Sequence, residues 1–187
     1  MKPLVPTQKE LEIAMKQRAI ASKIRGDFLN RFADIEFMLE VAVCTYFCSG
    51  NHKKRFEMMN SLMAHQLMSF EIKQNNVGFI IKNAYPDLEK EYPTLINDIA
   101  SYKELRNKIA HLKILHNENI VKAFNGKDIF FSNFATKGQE IKMKVEPMNL
   151  EKASQLDIKM YNSSKALEKL IMIMMKKVKQ KRPKSPL

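Results

Sequence analysis

The sequence is poor in the residues that interrupt helices and in those that staple small folds. It has no tryptophan, and its 187 residues include 5 glycines and 2 cysteines. No glycine-rich phosphate loop, Ser-His-Asp set or His-Glu-x-x-His pattern occurs, so the common nucleotide-binding, serine-hydrolase and zinc-protease signatures are excluded. Two cysteines are too few for a disulfide framework. Cys44 and Cys48 stand four apart in an apolar run, on one face of a helix, where a bridge would constrain little. They read as reduced thiols of a cytosolic protein. His52 follows four residues later, but Gly50 interrupts the helical spacing and no fourth ligand is evident, so no metal and no cofactor is expected. Long apolar runs are absent too. The longest, Leu170 to Met175, falls far short of the roughly 20 residues that span a bilayer. The first residues lack an apolar core of signal-peptide length. The expectation is a soluble, cytoplasmic chain with no membrane partner. Acidic residues are also outnumbered, 20 against 32 Lys+Arg, for a net charge of +12. That balance favours a polyanionic partner, nucleic acid foremost. Six of the basic residues (Lys176, Lys177, Lys179, Lys181, Arg182, Lys184) crowd the end without an acidic one. They suit either a solubilising tail or a nucleic-acid contact.

What is abundant points to helices. Methionine is present 13 times and hydrophobic residues make up 45% of the chain, enough for a real core. Thr7 and Glu10 form a capping box, which predicts a long helix to about Phe47 with Gly26 as a candidate division. Phe28, Phe32, Ile35, Leu39, Ala42 and Val43 mark its core side. Further helices are predicted from Lys53 to about Met68, from Phe70 to Ala84, and from Pro93-Thr94 to about Leu115. Tyr85-Pro86-Asp87 reads as a stop. Leu95, Ile99, Tyr102, Leu105, Ile109 and Leu112 recur every three or four residues as a core stripe. The pattern then changes. Val121–Phe124, Asn125-Gly126 and Ile129–Phe134 read as a β-hairpin, Thr136-Lys137-Gly138-Gln139 as a second turn, and Glu140–Val145 as an alternating strand. A last helix begins near Pro147 or Asn149 and ends near Val178. The fold class is therefore mainly α. It is a single domain, with a helical bundle over 7–115, a small antiparallel β-meander over 119–146 inserted before the last helix at 149–178, and a basic tail at 179–187.

One segment carries chemistry: Glu104-Leu105-Arg106-Asn107-Lys108-Ile109-Ala110-His111-Leu112. Arg106 offers a permanent cation with a planar fork for phosphate oxygens. His111 is the side-chain type that exchanges a proton near neutral pH. Asn107 can orient either. Asn107 and His111 stand four apart and share a helix face. Arg106 and His111 stand five apart, roughly 140° around an ideal helix. They cannot stack on one another, so a site using both is easier to build where two helices meet, as across the axis of a two-fold dimer.

Arg106-Asn107-x-x-x-His111, late in a helical bundle, resembles the signature of the HEPN superfamily. The likeness extends more loosely to Arg31-Phe32-Ala33-Asp34-Ile35-Glu36 and to the Pro-Asp lead-in between Tyr85 and Tyr92. It covers roughly residues 28–115 and the final helix, with the β-meander as an elaboration. The resemblance implies a HEPN-like bundle and a homodimer with its two motifs in a cleft. It implies metal-independent endoribonuclease activity on RNA, of the kind found in phage-defence and toxin–antitoxin systems, with an antitoxin or regulatory protein as a further partner. It makes His111 the general acid/base, Arg106 the phosphate holder, Asn107 the orienting group, and Glu36 a weaker hydrogen-bonding partner of His111 or Arg106. One departure stands out. Toxins paired with a nucleotidyltransferase antitoxin usually carry Tyr two residues after the His, whereas this chain has Lys113, which disfavours that subfamily. Two other readings use the same residues. One is a non-catalytic HEPN scaffold that binds RNA, nucleotide or protein. The other is a structural dimer in which the motif is a hydrogen-bond network between subunits. His65 and His116 read as surface or core histidines, and the methionine clusters as adaptable core or interface filler.

Overall fold

The computed structural model describes residues 7–49, 51–63, 67–111, 113–114, 124–137 and 140–180. The described chain is mainly helical. In order it forms α1 (Gln8–Phe47), α2 (His52–Met58) running into a π-helical turn (Met59–Met63), α3 (Phe70–Ala84), α4 (Pro86–Glu91), α5 (Leu95–His111), β1 (Lys113–Ile114), β2 (Ile129–Lys137), β3 (Glu140–Met148) and α6 (Leu150–Gln180). It divides into two compact units. One is the described part of Met1–Asn30 with Leu105–Ile158, and the other is the described part of Arg31–Glu104 with Lys159–Leu187. The helices α1, α5 and α6 each contribute to both.

Helix starts follow the capping residues of the sequence. Thr7 and Glu10 close a reciprocal box: the Glu10 N–H donates to Thr7 Oγ1 at 3.3 Å, and the Thr7 N–H donates to Glu10 Oε2 at 2.7 Å. Helix α1 then runs 40 residues without a break at Gly26, about 60 Å at 1.5 Å per residue. The Asn51 side chain accepts from Lys54 N, that of Ser69 from Ile72 N, and that of Asn149 from Lys152 N, which caps α2, α3 and α6. Tyr85-Pro86 does end α3. Pro86 then opens the short α4, because its fixed φ and missing N–H suit a first helical turn.

In the unit that holds Arg31–Glu104, the core is apolar and fully buried: Ile35, Leu39 and Val43 of α1, Val77 and Ile80 of α3, Ile99 of α5, and Met160, Leu167 and Leu170 of α6. The Phe32 and Phe70 rings stack at 4.8 Å. Polar contacts thread this core as well. Tyr102 Oη and Ser163 Oγ share a hydrogen bond at 3.1 Å between α5 and α6, and the Gln74 amide donates to the Ile96 carbonyl at 3.2 Å.

The other unit centres on Ala21, Ile24 and Ile129, with Ile20, Phe124, Met148 and Ala153 packed against them. Its three-stranded antiparallel sheet has the order β1-β2-β3, with Ser132 opposite Val145 and Ile129 opposite Met148. Here the structure corrects two expectations. Helix α5 ends at His111 rather than near Leu115, and Lys113 and Ile114 pair with Ser132 and Phe131 instead. Strand pairing overrides the weak helical preference of a β-branched residue. The Asn125-Gly126 step is also not a hairpin turn next to a strand at Phe124. Gly126 has φ +84°, and Asn125 Oδ1 accepts from the N–H groups of Lys127 and Asp128 at 3.0 and 2.9 Å. The local side-chain turn leads the chain into β2. Val121 to Ala123, Gly138 and Gln139 lie outside the described residues, as do His65, His116 and the tail beyond Gln180.

Candidate phosphate-binding site on helix α5

Helix α5 carries its sequence motif in its last two turns. Leu95, Ile99 and Tyr102 are buried, and Ile109 has no exposed surface. The residues between, Arg106, Asn107 and Lys108, are exposed. The core stripe therefore fixes which way the helix faces, and the polar motif falls on the opposite side. Arg106 Nη1 donates to Asn107 Oδ1 at 3.2 Å. That bond engages one edge of the guanidinium, and five N–H donors in a fixed fork leave others for a phosphate. His111 closes α5 one turn after Asn107, so the two backbone positions keep the four-residue relation read from the sequence. The described side chains of α5 stop at Ala110, and the His111 imidazole lies outside them, as does the side chain of Lys113.

Glu36 belongs to the other unit, where its carboxylate accepts a hydrogen bond from Lys73 Nζ at 2.9 Å. Its described partner is thus Lys73, and that of Arg106 is Asn107. The proposed partnership of Glu36 with the motif has no described bond behind it.

The Lys73 contact belongs to a cluster that the sequence did not announce. Lys73 is 1% exposed, and its ammonium also donates to Glu40 Oε1 at 2.6 Å. Burial alone would pull the Lys73 pKa down, but the hydrogen bonds and charges of Glu40 and Glu36 together outweigh it and hold the pKa above its ordinary value. The available sequence signal was position. Lys73 falls on the same face of α3 as Val77 and Ile80, and Glu36 and Glu40 are a helical turn apart on α1.

The two thiols are free, with Cys44 buried. Burial first, then the neighbouring Cys48 and Glu40, push the Cys44 thiol up to about 11. Cys48 Sγ lies 3.8 Å from Met58 Sδ, and Arg55 Nη2 lies 3.1 Å from His52 Nδ1. Among the described residues no three His, Cys, Asp or Glu side chains cluster as a metal site would require. Among the same residues no helix is long and apolar enough to cross a membrane.

Fold and site together define a mainly helical protein that presents an exposed arginine–asparagine pair near the C-terminus of a core-packed helix. No protein-family model, curated protein or solved structure compared with the chain matches it.

Proposed function

We propose that this protein is a HEPN-type endoribonuclease that cleaves RNA without a metal and works as a homodimer with a composite Arg/His site. The observation that carries the reading is the pairing of the exposed Arg106 guanidinium with Asn107 on the solvent side of α5, one turn before His111. Arg106 would hold the scissile phosphate and stabilise its developing charge. His111 would take the proton from the attacking ribose 2′-hydroxyl, or give one to the leaving 5′-oxygen. The 2′-oxygen attacks phosphorus, the P–O5′ bond breaks, and the product ends in a 2′,3′-cyclic phosphate. No water or metal need enter that step. Asn107 would keep the guanidinium planar fork aimed outward. The net charge of +12 supplies long-range attraction for RNA. Defence against phage, or pairing with an antitoxin or regulatory protein, is the setting this reading suggests. The test is to incubate wild-type and His111→Ala proteins with mixed single-stranded and transfer RNA in the presence of chelator. Cyclic-phosphate ends from wild type alone support the reading. Equal cutting by both removes His111 from the chemistry.

A second reading has its own support. The Arg106–Asn107 pair is equipment for holding a phosphate whatever His111 does, so a non-catalytic RNA- or nucleotide-binding scaffold uses the same surface. Salt-sensitive RNA binding without turnover would favour it.

A further inference from the structure

Along the chain, Cys44, Cys48 and His52 lack a further ligand. The fold supplies one from the next helix. The Cys48 N–H donates to the Cys44 carbonyl at 3.0 Å, so the two thiols stand one helical turn apart at the end of α1. The Asn51 N–H then donates to the Cys48 carbonyl at 2.9 Å, and the Asn51 side chain caps α2. That corner brings Met58, the last residue of α2, back to the end of α1, with its Sδ 3.8 Å from Cys48 Sγ. All of these residues lie in the unit that holds Arg31–Glu104. His52 is not part of the group. It is exposed, and its Nδ1 lies 3.1 Å from Arg55 Nη2.

The sulfur spacing suits a shared ion. Two sulfurs on one ion, each at a metal–sulfur distance of about 2.3 Å, stand about 3.8 to 4.0 Å apart when the angle between them is tetrahedral to trigonal. Cys44 supplies a third sulfur. Residues four apart on a helix hold their Cβ atoms about 5–6 Å from one another, and Cys44 is close enough to Cys48 and Arg55 to feel the charge of both. Burial is graded as an entry path requires: Cys48 and Met58 are half-buried, and Cys44 behind them has no exposed surface.

Chemistry selects the ion. Two thiols and a thioether are soft ligands, the set that takes Cu(I). Structural zinc takes four nitrogen or sulfur ligands and calcium or magnesium takes oxygen, and among the described residues no third His, Cys, Asp or Glu completes such a set. On binding, Cu(I) displaces one proton from each thiol to solvent, and no electron moves. Two thiolates and one monocation leave a single negative charge, for which Arg55 is a nearby counter-charge. A second observation points the same way. Thr45 is 3% exposed, and its hydroxyl has no hydrogen-bond partner among the described residues. A buried hydroxyl left unpaired is costly. It stands one turn before Cys48, and a thiolate formed there is an acceptor within its reach.

We infer that Cys44, Cys48 and Met58 form a binding site for one Cu(I) ion per chain. The site is separate from Arg106 and His111 and does not depend on the chemistry assigned to them.

The test is to titrate the full-length, fully reduced protein with Cu(I) in the absence of oxygen, in competition with a chromogenic Cu(I) chelator. Ultraviolet charge-transfer absorption and X-ray absorption report the ligands. Wild type should take one Cu(I) from the chelator and show a sulfur shell at about 2.3 Å without nitrogen. Cys48→Ser and Cys44→Ala should each bind at least about 100-fold more weakly, and Met58→Leu about tenfold, since loss of even an outer-shell partner costs about 10- to 100-fold. Circular dichroism identical to wild type confirms that each variant folds. Cys48 and Met58 are half-buried, so their variants test the site even if Cys44→Ala disturbs the core. His52→Ala and His111→Ala should bind as wild type does. A wild type that leaves Cu(I) with the chelator, a Cys48→Ser or Met58→Leu protein that binds undiminished, or loss of binding in folded His52→Ala would each overturn the inference.

Discussion

Two charged groupings in this protein face opposite environments. Lys73 is buried and shared between Glu36 and Glu40, at 2.9 and 2.6 Å. Arg106 is exposed, and its described bond is to the neutral amide of Asn107 at 3.2 Å. The first spends its charge inside the molecule. Its two carboxylate partners offset the cost of taking the ammonium out of water. The second keeps its full positive charge at the surface, with hydrogen-bond donors to spare. The difference teaches where to look for chemistry. A satisfied buried ion cluster holds a fold together, and a cation steadied by a neutral neighbour is poised for an anionic ligand.

The contrast breaks most visibly at the motif. His111→Ala should lower RNA cleavage by about 10²- to 10⁴-fold, the range for losing a general acid/base, while the melting temperature stays near that of wild type. A variant that loses activity only because it unfolds would erase the distinction. The buried cluster should respond the other way. Lys73→Met leaves two carboxylates without their cation and should cost about 3 kcal/mol of stability, measured by urea denaturation, with little effect on RNA binding in the variant that remains folded. If Lys73→Met is as stable as wild type, the cluster is not the structural element its geometry suggests.

Alkaline titration sharpens the same point. The folded-state pKa of Lys73 lies above its ordinary value of 10.5. Its charge therefore contributes stability that is fully present below the unfolded value and is lost as pH rises through the raised folded value. Wild type should lose stability above about pH 10.5 more steeply than Lys73→Met, which has no ammonium to lose. Parallel curves would show that Lys73 does not report the cluster. The thiols offer a milder check. With the Cys44 thiol pushed up to about 11 by burial, a thiol reagent at pH 8 should modify the partly accessible Cys48 well before Cys44. Smallest of all, Thr7→Ala removes one half of a capping box and should cost about 1 kcal/mol, read as a small drop in thermal stability with both charged groupings undisturbed.

The helices were legible because their signals are local. Thr7 and Glu10, Ser69, Asn149 and the Tyr85-Pro86 step act on their own neighbours, and each sets a helix end. Core stripes such as Leu95, Ile99 and Tyr102 were legible for the same reason, since a 3.6-residue period survives in the sequence whatever the helix packs on. The strand at Lys113–Ile114 was not. Its two residues are extended only because Ser132 and Phe131, nearly twenty positions away, offer a ladder. The Arg106 motif could be read as residue types and spacing. That Arg106 and Asn107 are exposed is a tertiary fact, because it depends on which side of α5 the core takes.

By itself, then, the sequence determined the surplus of positive charge, which is composition, and a mainly helical chain with most of its helix ends, which follow from interactions within a few turns of the chain. Only the tertiary structure decided that Lys73 is a core residue held by Glu36 and Glu40 and that α5 stops at His111. Each of these depends on what comes near from a distant part of the chain, and burial, pairing and exposure are properties of that company rather than of the residue.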